Sequence, residues 1–272
     1  MSAARKRALV TGAASGMGRA FSLSLAHRGY ELVLADVDHA GLVETAKRCC
    51  GDARIAVVDL ASDDAMPKLA AQAEALELVV CCAGVLGAGA FAEQGFDVFR
   101  RTIEINLVGT ARTIHATLPA LRRARGQIVV LASTASLHGW PLLAAYSASK
   151  GAVENLCDAL RVELAADGIG VTTVFPLLVD TPMLGEERAL PPILRGGRVR
   201  AEDVVRRALR GATRRRRRVY VPWLARLVAV LHGLWPRLLD RWGSLRGLPD
   251  RSRSFDRDRG DYGETVGEST GS

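Results

Sequence analysis

Cysteine is scarce in this chain and badly spaced for metal or redox work. The five are Cys49, Cys50, Cys81, Cys82 and Cys157: an odd number, with two adjacent pairs and no CxxC. They read as reduced thiols of a cytoplasmic protein, with Cys81 and Cys82 as small core residues. No metal site is expected. A leader peptide is not expected either, because the short basic stretch Met1 to Arg7 runs straight into Ala8-Leu9-Val10. There is no internal repeat at a solenoid period. Unbroken apolar stretches of membrane-spanning length are also missing. The nearest to one, Trp223 to Trp242, is interrupted by Arg226 and Pro236.

Charge is not scarce, but it is uneven. The 272 residues carry a formal net charge of +8, and five consecutive arginines, Arg214 to Arg218, are a local concentration of it. Such a patch suits an anionic partner such as a membrane surface, or is simply a solvated turn. It has no interleaved aromatics on which bases would stack, so no nucleic-acid partner is expected.

What is abundant is alternation. Short runs rich in Val, Leu and Ile, without polar interruption, occur at Ala8 to Val10, Leu32 to Ala35, Ile55 to Val58, Leu78 to Cys82, Ile128 to Leu131 and Val171 to Phe175. That is the signature of strands buried on both faces. Helical patterns lie between them, among them Gly18 to Arg28, Phe96 to Arg123 and Ala144 to Ala166. The fold expected is α/β: a single Rossmann-type, doubly wound parallel sheet of about seven strands with helices on both faces. Val219 to Val221 completes it, so the main domain covers 1–221. Residues 222–243 then form an apolar, basic helical appendage. Residues 244–272 are too polar to bury a core and read as a disordered tail.

The first strand ends in Thr11-Gly12-Ala13-Ala14-Ser15-Gly16-Met17-Gly18. Glycines at this spacing let the backbone turn sharply and approach a ligand. The helix that follows points its free N–H groups and its dipole at the turn, which suits a pyrophosphate. Eighteen residues after Gly18, the second strand ends at Asp36, placed to accept from ribose hydroxyls and to repel a 2′-phosphate. No basic residue follows at Val37 or stands among Ala13, Ala14 and Ser15. NAD is therefore favoured, with NADP left open. Asp38 stands ready to cap the next helix.

Tyr146-Ser147-Ala148-Ser149-Lys150 puts a phenol and an ammonium four residues apart, on one face of a helix. A phenol titrates near 10, and a neighbouring ammonium favours its ionised form. Tyr146 would thereby serve as acid or base. With the glycine turn, Asn106 and Ser133, this sequence resembles the classical short-chain dehydrogenase/reductase family from about Lys6 to about Val221. The resemblance implies a nicotinamide-dependent oxidoreductase that interconverts an alcohol and a ketone or aldehyde. It implies a site of Asn106, Ser133, Tyr146 and Lys150. Ser133 would hydrogen-bond the substrate oxygen, Lys150 would also hold the nicotinamide ribose, and Asn106 would support a water relay. Around the cofactor it implies Gly12, Ser15, Gly16, Met17, Gly18, Asp36, Asp59, Leu60, Ala83, Gly84 and Thr181, besides Tyr146 and Lys150. Homodimers or tetramers built on the long helices, Phe96 to Arg123 and Ala144 to Ala166, are usual in the family.

Two departures stand out. Cys81-Cys82 replaces the family's paired asparagines before Ala83-Gly84, and Leu177 replaces the glycine after Pro176. They motivate a rival reading, a non-catalytic dinucleotide-binding protein; the basic C-terminal segment motivates a second, a membrane-associated scaffold, which need not exclude catalysis. The segment from Pro182 to about Val199, with Leu184, Leu190, Ile193 and Leu194, is expected to cover an apolar substrate. Leu137, His138 and Trp140 are expected on the opposite wall, with His138 a pocket or surface histidine. The Trp223 to Trp242 segment is left between two roles, an interfacial helix beside the arginine run and a cover packed on the sheet or a second subunit.

Overall fold

A computed structural model describes residues 6–49, 53–72, 75–180 and 198–235. Seven strands form one sheet: β1 (Arg7–Thr11), β2 (Glu31–Asp36), β3 (Ala53–Val57), β4 (Leu78–Cys81), β5 (Gln127–Leu131), β6 (Gly170–Pro176) and β7 (Arg218–Val221). Their order is β3-β2-β1-β4-β5-β6-β7, and every pair is parallel. The helices are α1 (Gly16–Ala26), α2 (His39–Arg48), α3 (Ala65–Ala71), α4 (Phe96–Ile103), α5 (Gly109–Ala124), α6 (Ala144–Glu163), α7 (Ala201–Thr213) and α8 (Ala225–Leu234).

The alternation of side chains along each strand explains the apolar runs. Ala8 and Val10 face one way, into a core with Phe21, Leu25, Leu42 and Val204 from α1, α2 and α7. Leu9 faces the other way, into a core with Leu69, Ile114, Leu121, Val153 and Cys157 from α3, α5 and α6. Both faces are covered, so neither tolerates polar residues. β3, on the edge, is the exception: Arg54 and Val57 are exposed. Each fully buried Leu or Phe is worth about 1.5–3 kcal/mol of transfer free energy.

Strand order reverses between β1 and β4, and the chain leaves these neighbouring strands in opposite directions. That opens a crevice at their carboxyl ends, where ligands of such sheets bind.

Three segments differ from the sequence reading. The single helix over Phe96 to Arg123 is two helices joined by a π-helical turn at Glu104–Val108. The amphipathic pattern runs through the turn because a π turn adds one residue without breaking the helix. The basic run sits beside the C-terminal helix only at its last residue, where the Arg218 guanidinium lies 5.9 Å from the centre of the Phe175 ring, in the group on which Val228 and Ala229 of α8 pack. Arg214 to Arg217 lead into β7 at one end and α8 leaves from the other, roughly 10 Å away at about 3.3 Å per residue. The run is also partly engaged, with Arg218 pairing to Glu154 at 2.9 Å and to Asp158 at 2.8 Å on α6. Finally, Leu137 is not on the cleft wall. It packs with Ala132 and Phe175, under Tyr220, Val228 and Ala229.

Among the described residues, no helix is long and apolar enough to cross a membrane, and no group of metal-binding side chains occurs. Residues 236–272, including Pro236, Trp242 and the polar tail, lie outside the described residues.

Candidate active site

The crevice is a cleft of about 350 Å³ running from Asp36 and Asp59 at one end to Trp140 and Leu143 at the other. Gly12, Ser15, Gly16, Met17, Gly18, Asp36, Asp59, Leu60, Ala83, Gly84, Ser133, Tyr146 and Lys150 all line it. Asn106 lies directly behind, fully buried. Thr181 and most of the segment expected to cover the substrate, 182–197, lie outside the described residues.

At the glycine turn, Gly12 has φ +69° and Gly16 φ +48°, a conformation that side-chain-bearing residues rarely adopt. A Cβ on Gly18 would lie 2.0 Å from the Gly12 carbonyl oxygen. The turn is held from outside by Thr45, whose hydroxyl donates to the Ala13 carbonyl at 2.9 Å. Arg19 donates to the Ala14 carbonyl and is salt-bridged to Glu44 at 2.7 Å. Ser15 stands at the N-cap of α1 but makes no side-chain cap bond. The first N–H groups of α1 are thus left to face the cleft, which gives a cradle for an anion.

Asp36 accepts from the Ala14 amide at 3.0 Å and from the Asp38 amide at 3.1 Å. It therefore braces the turn as well as facing the cleft. Asp38 caps α2, accepting from the Gly41 amide at 3.0 Å. Asp59 accepts from the Ala61 amide at 2.9 Å.

The reacting end is built by β5 and α6. Ser133 follows β5 and opens a short 3₁₀ turn, Thr134–Ser136. Its hydroxyl accepts from the Ala135 amide at 3.1 Å, while its own amide donates to Ser136 Oγ at 3.3 Å. This reciprocal capping fixes Ser133 and turns Ser136 away. Ser133, not Ser136, is the hydroxyl that acts on the Tyr146 phenol, pulling its pKa down against burial.

Lys150 is 6 % exposed and donates to the Leu131 carbonyl at 2.7 Å, with Nζ 5.8 Å from the centre of the Tyr146 ring. Burial lowers its pKa to about 8, against a smaller opposing pull from Cys82, Cys81 and Cys157. Burial also pushes the Tyr146 phenol above its ordinary value, and only the Ser133 hydrogen bond opposes it. The expectation that Lys150 lowers the tyrosine is therefore not met in the cofactor-free chain. The ammonium donates to the Leu131 carbonyl, and burial is what sets the direction for the phenol.

Asn106 sits in the π turn. It accepts from the Val85 amide at 2.8 Å and donates to the Val85 carbonyl at 3.0 Å and to Ser149 Oγ at 2.9 Å. Ser149 in turn donates to the Tyr146 carbonyl at 2.7 Å. Asn106 thus ties the segment after β4 to the helix of Tyr146. Gly84 has no room for a side chain, since a Cβ would meet Asn106 Oδ1 at 2.9 Å.

The departures at Cys82 and Leu177 do not empty the site. Thr11 Oγ accepts from the Cys82 and Ala83 amides at 3.3 and 3.4 Å, bracing the segment from β1 instead. Leu177 lines the cleft beside Leu178 and Val179, with its amide bonded to the Val221 carbonyl at 2.8 Å. His138 is buried, edge-on to Trp140 at 5.1 Å and to His232 of α8 at 5.3 Å.

Sequence reasoning missed the Leu131 carbonyl, Ser149 and Arg101. The first carries no residue-type signal. Ser149 lies inside the Tyr–Lys motif, and Arg101 stands one helical turn before Ile105, which also lines the cleft.

A family model described as short chain dehydrogenase matches residues 6–191. The chain belongs to the short-chain dehydrogenase/reductase family. This dehydrogenase/reductase is 33% identical over 190 residues to an uncharacterized oxidoreductase of Staphylococcus saprophyticus, covering 66% of this chain and 81% of that one. It is 36% identical over 202 residues to an uncharacterized NAD-dependent oxidoreductase of Mycobacterium tuberculosis, covering 66% and 74%. Among solved structures, a family member from Burkholderia phymatum in complex with NAD superposes with a TM-score of 0.76 at 26% identity, covering 89% of this chain and 96% of that one. A variant of actinorhodin polyketide ketoreductase with NADPH gives 0.70 at 28%, covering 80% and 95%. The seven-stranded parallel sheet is the fold of this oxidoreductase family.

Proposed function

We propose that this short-chain dehydrogenase/reductase interconverts a secondary alcohol and a ketone or aldehyde, with NAD favoured over NADP and Tyr146 as the acid–base group. The observation that carries the reading is the convergence of Ser133, Tyr146 and buried Lys150 on the same cleft as the glycine turn.

The residues fit a dinucleotide. The glycine turn, packed so closely on α1 that a Cβ at Gly18 would strike the Gly12 carbonyl, and the uncapped start of α1 suit its pyrophosphate. Gly12, Ser15, Gly16, Met17 and Gly18 would hold that group. Asp36 would accept from the adenosine ribose, Asp59 and Leu60 would flank the adenine, and Ala83, Gly84 and Thr181 would follow the rest. When bound, the nicotinamide accepts a hydride from the alcohol carbon or returns one to the carbonyl carbon. Preference for NAD is supported by the Asp36 carboxylate and by the engagement of Arg19 with Glu44. Relatives of both kinds exist, one structure holding NAD and another NADPH.

At the reacting end, Ser133 would donate to the substrate oxygen and hold it against Tyr146. In oxidation the phenolate takes the hydroxyl proton, and in reduction the phenol returns it. Lys150 would bind ribose hydroxyls and supply positive charge, and Asn106 fixes the segment on which both rest. Trp140, Leu143, Leu86 and Ala88, packed around Tyr146, support an apolar substrate body.

A screen of alcohols and ketones with NAD and NADP tests this. Turnover of apolar ketones or alcohols with the higher kcat/KM for NAD is expected. A strong preference for NADP contradicts the role of Asp36, and turnover confined to small polar sugars contradicts the apolar pocket.

A further inference from the structure

Four charged side chains line the cleft among the described residues: Asp36, Asp59, Lys150 and Arg101. Three are engaged by the protein itself. Asp36 and Asp59 accept from backbone amides, and Lys150 donates to Leu131. The Arg101 side chain lines the cleft without an ion pair or hydrogen bond to any described residue. A guanidinium carries five donors in a planar fork matched to a carboxylate. At the mouth of the cleft beside an apolar wall, its donors are free to meet an anion that a ligand brings.

Its position says which ligand. Arg101 and Ile105 lie four residues apart and both face the cleft, while Thr102 and Asn106 turn inward. α4 packs against α6, the helix of Tyr146. Val85 and Leu86 line the same part of the cleft, and Leu86 belongs to the apolar group around Trp140, Leu143 and Tyr146. A pyrophosphate already has the uncapped start of α1, and Asp36 and Asp59 disfavour a further phosphate at their end.

We infer that Arg101 recognises an anionic group on the substrate, so that the substrate is an oxo or hydroxy compound with an apolar body and a carboxylate. This rests on the alcohol–ketone reading above. The apolar wall holds the body, Tyr146 and Ser133 hold the reacting oxygen, and Arg101 holds the far end. Arg101 is exposed, so the interaction is screened by salt.

The test compares oxo-carboxylates of increasing chain length with their carboxamides. Steady-state kinetics use wild type, Arg101→Gln and Arg101→Lys, with calorimetric binding in saturating NAD alongside. In wild type kcat/KM should favour the acid by about 2- to 5-fold, the range of an exposed ion pair. The ratio should fall towards one in Arg101→Gln, be partly kept in Arg101→Lys, and shrink as salt rises. The inference is overturned if wild type shows no preference for the acid, or if Arg101→Gln leaves the ratio unchanged. It is also overturned if Arg101→Gln weakens both classes equally together with NAD, which would assign Arg101 to a cofactor phosphate. If neither class turns over but the acid binds only when Arg101 is present, the anion site stands and the alcohol–ketone reading fails. If neither class turns over nor binds, both fail.

Discussion

Lys150 shows what the site costs the fold. An unfolded chain keeps a lysine protonated to about pH 10.4, whereas burial brings Lys150 to about 8. Between these values the unfolded state binds more protons, so this group makes stability rise with pH. The penalty is fully present below pH 8 and relieved above it. Urea unfolding of the cofactor-free protein should show wild type gaining on the order of 1–2 kcal/mol relative to Lys150→Met between pH 7 and 10. An unchanged difference between the two would contradict the buried, desolvated lysine. The same burial pushes the Tyr146 phenol above its ordinary value, and positive charge placed beside it favours the ionised form.

At the scale of elements, the π turn at Glu104–Val108 is the feature that aims Asn106. It places the amide where it satisfies both backbone groups of Val85 and touches Ser149 of α6. Asn106→Ala would leave those groups unpaired in a buried place, at a cost of about 2–4 kcal/mol. Thermal and urea unfolding check it, and a cost within about 0.5 kcal/mol, the size of an ordinary surface change, would show that the clamp is unimportant. The sequence makes the strands legible because both faces of each are buried, and it makes the glycine turn and the Tyr–Lys pair legible because spacing alone puts them on one turn or one face. It does not make the π turn legible, since apolar spacing continues across it. Nor does it reveal the Leu131 carbonyl that holds Lys150, because a backbone acceptor has no residue type. The capture of Lys150 is hidden for the same reason: the pair's spacing is visible, the carbonyl that holds the ammonium is not.

On the scale of the whole molecule, the reversal between β1 and β4 gathers groups far apart in sequence into one cleft. The far end carries a second feature. Trp223, Leu224, Leu227, Val230, Leu234 and Trp235 are exposed on and around α8, while the other face of α8 packs on Phe175 and Leu137. Arg214 to Arg217 precede β7, while Arg218 reaches the Phe175 ring under α8 and is paired with Glu154 and Asp158. A chain ending after Val221, compared with the full chain by liposome flotation and by sedimentation, separates two roles. Loss of flotation marks a membrane surface, and loss of a dimer or tetramer marks a subunit contact. If neither changes, α8 is only a cover for the sheet.

The central claim is that Tyr146 moves the proton in a cleft that binds the dinucleotide independently of it. Tyr146→Phe measures this most directly. The phenol oxygen goes while the ring and the glycine turn stay, so NAD binding by calorimetry should remain within a few-fold while kcat falls by at least about 100-fold. A variant that turns over as wild type does, or that loses NAD binding along with activity, would contradict the account.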